Sequence, residues 1–164
     1  MPAVISFIGW HDSGKTTLAS RVVAELLRRG RKVAVVKSTK ERQLSFDHPG
    51  TDSALYLQAG AAILVAGPEL LVLQKPEKKS SLKALAARFF ADMELVVGEG
   101  FKHEEDLAKI EVFRDTGPRL ASMVDGVVAV VGCEQFFSEI KQRFSSDDFP
   151  GIADFLEDFI ELSG

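Results

Sequence analysis

The chain is poor in cysteine, with a single residue of that type, Cys133, among 164. A lone cysteine rules out a disulfide within the chain and points to a reducing compartment, so a cytoplasmic protein is expected. Cys133 follows an apolar run and reads as a small, semi-buried hydrophobe. Histidine is scarce too. His11, His48 and His103 have no metal-ligand spacing, which argues against a zinc site. Positive charge is not in excess: Lys and Arg number 20 against 24 Asp and Glu, a net charge of −4, so nucleic acid is not an expected partner. No apolar stretch reaches the roughly 20 residues that a membrane-spanning helix needs, and no membrane association is expected. Met1-Pro2-Ala3-Val4-Ile5-Ser6-Phe7 carries neither a basic segment nor a small-residue cleavage site, so a signal peptide is not expected. Repeats and low-complexity segments are lacking.

What is present suits one domain over residues 1–164. The apolar fraction is 46%, enough for a real core at this length. Val4 to Ile8 reads as a buried strand ending at Gly9. From Thr16 to Arg29, Leu18, Val22, Leu26 and Leu27 recur at helical spacing, with Gly30 as the cap. Lys32 to Lys37 reads as a second strand, completing a βαβ unit. Ser38 to Thr51 is a long polar connection, a kind that is often functional. A short helix is expected over Asp52 to Gln58, which Asp52 itself could cap. Ala62–Ala66 and Leu70–Gln74 read as two strands around Gly67-Pro68-Glu69. Ser80 or Ser81 caps a helix to Ala91. Further strands are expected at Glu94–Gly98, Lys109–Phe113 and Val127–Val131. Two helices close the chain, the last beginning after a breaker at Pro150-Gly151. The alternation predicts a three-layer α/β fold with a mainly parallel central sheet and a β-hairpin extension, and with the glycine-bounded loop from Gly9 to Thr16 (G-x-x-x-x-G-K-[ST]) between the first strand and helix it predicts a P-loop NTPase domain.

Gly9-Trp10-His11-Asp12-Ser13-Gly14-Lys15-Thr16 matches the phosphate-loop pattern G-x-x-x-x-G-K-[ST]. Glycines at both ends let the backbone curl so that its amides converge on phosphate oxygens. The helix that follows points its N-terminus at the same place. Lys15 reaches the β- and γ-phosphates and the Thr16 hydroxyl ligates Mg²⁺. The expected nucleotide site is Gly9, His11, Asp12, Ser13, Gly14, Lys15, Thr16 and Thr17, with His11 and Asp12 at the solvent-facing tip. Trp10-His11 stands where partitioning and iron-sulfur carrier ATPases have a second lysine, which weighs against those enzymes.

Mg²⁺ bound to phosphates usually needs a carboxylate as well. Glu99 leaves the end of a neighbouring parallel strand, just before Gly100, and is the expected metal-side carboxylate. Asp47, in the long loop after the second strand, is a further metal or catalytic candidate. Lys37 ends that strand and is a candidate for anion binding or catalysis.

Four stretches carry a resemblance to a known family: Gly9 to Thr17; Phe46-Asp47-His48-Pro49-Gly50-Thr51-Asp52-Ser53 with Ala59-Gly60-Ala61; Val97-Gly98-Glu99-Gly100-Phe101-Lys102; and Lys109-Ile110-Glu111-Val112-Phe113-Arg114. In that order they resemble the MobB family of molybdopterin-guanine dinucleotide biosynthesis adapter proteins. The resemblance runs from about Val4 to Val131. It implies a GTP- and Mg²⁺-binding protein, weakly active as a GTPase and usually dimeric, that serves the nucleotidyltransferase joining GMP to molybdopterin. It implies that Asp47 and Glu99 lie near Mg²⁺ and the phosphates, and that the hairpin around Gly67-Pro68-Glu69 reaches a dimer contact. The sequence departs from the family at Lys37-Ser38-Thr39-Lys40, where Lys-His is common, and at Thr51, where lysine is common. No Asn-Lys-x-Asp guanine reader occurs; Glu134, after Val131, could accept from guanine N1 and N2. An ATP-dependent small-molecule kinase using Arg114 and Arg119 is the alternative reading, and an interaction module with a structural phosphate loop is a third.

Overall fold

A computed structural model describes residues 1–40, 48, 50–75, 80–114, 117–132 and 140–164. Asp47, Cys133 and Glu134 lie outside the described residues. The chain divides into two compact units, Met1–Thr39 with Ser81–Gly164, and Lys40–Ser80.

The larger unit is built on a six-stranded sheet whose neighbouring strands are all parallel. Its strands are β1 (Ala3–Ile8), β2 (Val33–Lys37), β5 (Leu95–Glu99), β6 (Ala108–Val112), β7 (Val127–Val131) and β8 (Gln142–Phe144), in the order β2-β5-β1-β6-β7-β8. Strand alternation sorts the side chains by face. Ala3, Ile5 and Phe7 of β1, with Leu95 and Val97 of β5, join one core with α1 (Lys15–Arg28) and α4 (Phe149–Ser163). Val96 of β5 and Ala34 of β2 face the other way and pack with Leu82 and Ala86 of α3 (Leu82–Phe89). Helices on both faces make the three layers.

Local chemistry sets the helix ends. Helix α1 stops in a Schellman turn: Arg31 N–H donates to Leu26 C=O at 3.0 Å and Gly30 N–H to Leu27 C=O at 2.9 Å, with Gly30 at φ 84°. The Ser81 hydroxyl caps α3, accepting from Ala84 N–H at 3.2 Å. Close packing needs Gly98. A Cβ there would lie 2.4 Å from Leu82 Cδ2 and 2.9 Å from Ser6 Oγ, so glycine lets α3 come down onto the sheet.

Two expectations are corrected. Pro150-Gly151 is not a breaker before the last helix but part of its first turn. Proline has no N–H to lose there, and Asp148 caps the turn by accepting from Gly151 N–H at 3.0 Å. Two helices are expected to close the chain, but ahead of the last one the described residues hold the short edge strand β8, and Gln142-Arg143-Phe144 has no apolar run to announce it.

The smaller unit holds α2 (Asp52–Gln58) and the antiparallel hairpin of β3 (Ile63–Ala66) and β4 (Leu71–Gln74). Thr51, rather than Asp52, caps α2, accepting from Ala54 N–H at 3.4 Å. The register pairs Leu64 with Leu73 and Ala66 with Leu71, which puts all four on one face of the hairpin. Leu64, Leu71 and Leu73 are exposed there. No helix among the described residues is long and apolar enough to cross a membrane.

Candidate nucleotide site

Strand β1 lies between β5 and β6, so its C-terminal end is flanked by two other parallel strand ends. The loop from Gly9 leaves from this point. Gly9 has no room for a side chain: a Cβ would sit 2.5 Å from Ser13 Oγ and 2.6 Å from Val112 C=O. Asp12 and Gly14 adopt left-handed backbone, with φ of 61° and 83°. Asp tolerates that region better than most residues, and glycine freely. Ser13 N–H donates to Trp10 C=O at 3.3 Å, closing the turn.

Gly14 is the N-cap of α1 and offers no side-chain oxygen to the first amides of the helix. The other three α-helices among the described residues are each capped by a side chain, from Thr51, Ser81 or Asp148. Helix α1 also has no acidic residue in its first turn. Its free amides and its dipole therefore favour an anion. Ser13 Oγ is buried without a hydrogen-bond partner, a costly state for a hydroxyl unless a ligand relieves it.

Glu99 closes strand β5, in register with Phe7 of β1 and Lys37 of β2. Thr16 Oγ1 donates to Glu99 Oε1 at 2.6 Å, and Lys37 Nζ lies 4.0 Å from the same oxygen. Gly100, at φ 102°, turns the chain immediately afterwards; its N–H donates to Phe7 C=O at 3.0 Å. A hydroxyl and a carboxylate beside a helix N-terminus are hard oxygen donors suited to a phosphate-bound Mg²⁺. The residues present thus fit a Mg²⁺·nucleotide. His11 Nδ1 and Asp12 Oδ2 lie 2.8 Å apart at the loop tip, with both side chains almost fully exposed.

Beside the loop is a cavity of about 320 Å³. Ser13, Gly14, Thr17 and Arg21 form one wall, and Arg114, Gly132 and Ser146 stand at the ends of β6, β7 and β8. Arg21 and Ser146 were not expected from sequence. Arg21 follows Thr17 by four residues, one helical turn, which is the signal that places both on one side of α1. Arg114 donates to Asp12 C=O at 3.4 Å, tying β6 to the loop.

Known proteins share this fold and much of this sequence. Residues 4–133 match the family model for MobB, molybdopterin guanine dinucleotide synthesis protein B. A molybdopterin-guanine dinucleotide biosynthesis adapter protein of Escherichia coli (strain K12) is 32% identical, over 98% of this chain and 95% of its own length. The protein of that name from Haemophilus influenzae is 29% identical, over 96% of this chain and 89% of its own. The crystal structure of a molybdopterin-guanine biosynthesis protein B superposes with a TM-score of 0.73 at 27% identity, over 96% of this chain and 99% of its own. None of these relatives is named as a kinase. The fold is that of a P-loop nucleotide-binding protein, and the chain belongs to the MobB family.

Proposed function

We propose that this protein is a GTP-binding adapter in the assembly of molybdopterin guanine dinucleotide, acting in the cytoplasm beside the enzyme that joins GMP to molybdopterin. One observation carries the nucleotide reading: an uncapped helix N-terminus stands next to the Thr16–Glu99 pair on a glycine-bounded loop. The amides from Gly14 to Thr17 receive the β- and γ-phosphate oxygens, and the Lys15 ammonium adds a point charge there. Thr16 and Glu99 hold Mg²⁺, with Asp47 as a third candidate. Bound Mg²⁺ would neutralise charge on the terminal phosphates. Lys37, whose Nζ lies 4.0 Å from Glu99 Oε1, is a further candidate for anion binding at this rim. The cavity lined by Thr17, Arg21, Arg114 and Ser146 takes the nucleoside end. Hydrolysis is slow in the isolated chain, because no glutamine or arginine stands out as a water-positioning group or arginine finger at the phosphate end among the described residues. A partner completes or reads the site.

The exposed leucine face of the hairpin supports a homodimer. The experiment that tests the function is calorimetric titration of the wild type and Lys15→Ala with GTP, GDP and ATP in the presence of Mg²⁺. GTP should bind better than ATP, and Lys15→Ala should lose about tenfold to a hundredfold, since a charge-assisted contact contributes roughly 1.5–3 kcal/mol. A wild-type protein that binds none of the three overturns the reading.

A further inference from the structure

Strand β6 buries two charged side chains, Lys109 and Glu111, each 1% exposed. Lys109 ties two loops, its Nζ donating to the carbonyls of Glu104 and Asp125, both at 2.6 Å. Glu111 has a different target. Its two oxygens accept from Leu120 N–H at 2.6 Å and Ala121 N–H at 2.8 Å, at the start of the 3₁₀ turn Leu120–Ser122. Two charge-assisted bonds to adjacent amides hold that backbone in one place. Two residues before Leu120, the Pro118 carbonyl accepts the indole N–H of Trp10. Gly117 lies against the same ring, where a Cβ would come within 3.3 Å of Trp10 Cδ1, and the Lys102 ammonium sits 4.3 Å from the ring centroid. Trp10 is itself part of the phosphate loop, and its carbonyl accepts the Ser13 amide.

We propose that Glu111 is a positioning residue for the phosphate loop, acting through the Pro118 carbonyl and the Trp10 indole. This rests on the reading of Gly9 to Thr17 as the polyphosphate loop. The loop holds Asp12 in left-handed backbone, a costly conformation for a residue other than glycine that persists only where its surroundings over-determine it. Apparent affinity scales with the fraction of molecules already in the competent shape. The brace from Glu111 raises that fraction without touching the ligand. Trp10 is the only tryptophan, so its emission reports the brace directly.

The test uses the full chain as wild type, Trp10→Phe, Glu111→Gln and the double variant. Calorimetry with Mg²⁺·GTP gives affinities; emission and acrylamide quenching follow Trp10 where it is present. Each single variant should weaken binding about tenfold, and the double variant no further, because both cut one chain of contacts. Glu111→Gln should red-shift the emission and raise quenching while far-UV circular dichroism is unchanged. Trp10→Phe binding like wild type overturns the proposal, as do single-variant losses that multiply in the double variant. So does a Glu111→Gln protein that binds weakly with unaltered Trp10 emission. If Glu111→Gln does not fold, Glu111→Asp, which keeps the charge and loses reach, takes its place in the same cycle. If the wild type binds no triphosphate, the nucleotide reading fails, and emission and quenching alone then decide whether Glu111 holds Trp10.

Discussion

Replacing Ser13 by alanine should act in opposite directions on the free and the nucleotide-bound protein. The Ser13 hydroxyl oxygen is buried with no hydrogen-bond partner, and the residue is 5% exposed. An unsatisfied buried hydroxyl costs about 1–3 kcal/mol. Removing one oxygen leaves too small a gap to cancel much of that, so a net gain of about 1 kcal/mol is expected. For a chain of this size that raises Tm by about 2–4 °C. If the hydroxyl instead finds its partner in a ligand, alanine forfeits that bond when nucleotide arrives. The loss is about 1.4 kcal/mol, or tenfold in affinity. Differential scanning calorimetry without ligand, and titration calorimetry with Mg²⁺·GTP, read the two effects. A Tm that falls by several degrees means that the hydroxyl is satisfied within the protein. Affinity unchanged within twofold means that it does not meet the nucleotide. Either result refutes the reasoning.

Three further outcomes are expected. Gly98→Ala drives a Cβ to 2.4 Å from Leu82 and should cost about 1–3 kcal/mol through overpacking, seen as a Tm lowered by several degrees. Glu25 is held at about 2, below its usual 4.5, by hydrogen bonds from Arg28 and Arg29, and Glu157 is lowered by Arg31 and Arg29. Lowered carboxylates stabilise the fold above their unfolded values and lose that contribution as the pH falls from about 4.5 toward 2, so an acid titration of Arg29→Ala should lie flatter than wild type over that window. Leu71→Glu, on the exposed leucine face of the hairpin, should shift the protein toward monomer in light scattering with little change in nucleotide binding.

Much of this could be read from sequence where a short-range rule fixes the outcome. The phosphate loop, the span of α2 and the Gly30 cap follow from spacing and from glycine. Glu99 was reached by strand-end logic, and the structure sets it 2.6 Å from Thr16; its service to a metal is still a proposal. What escaped needed three dimensions. Thr51 rather than Asp52 caps α2 because the cap is decided by which backbone turns, and both residue types qualify. Pro150 reads equally as a stop or as a first turn. Strand β8 is three residues long and two of them are exposed, so no hydrophobic pattern announces it. The burial of Ser13 and the link from Glu111 to Trp10 join residues as many as 108 positions apart along the chain, beyond any periodicity.

Strand β6 has one more consequence. Ile110 and Val112 face the apolar layer, while Lys109 and Glu111 point the opposite way toward loop amides and carbonyls. Sliding this strand by a single residue would thrust an ammonium and a carboxylate among leucines and strip both loops of their anchors. The pairing with β7 is irregular between Lys109 and Ile110, yet the two charges permit only one alignment. Ionic side chains here act as a key that admits a single tooth pattern, and the alignment they select is the one that delivers Arg114 to the phosphate loop.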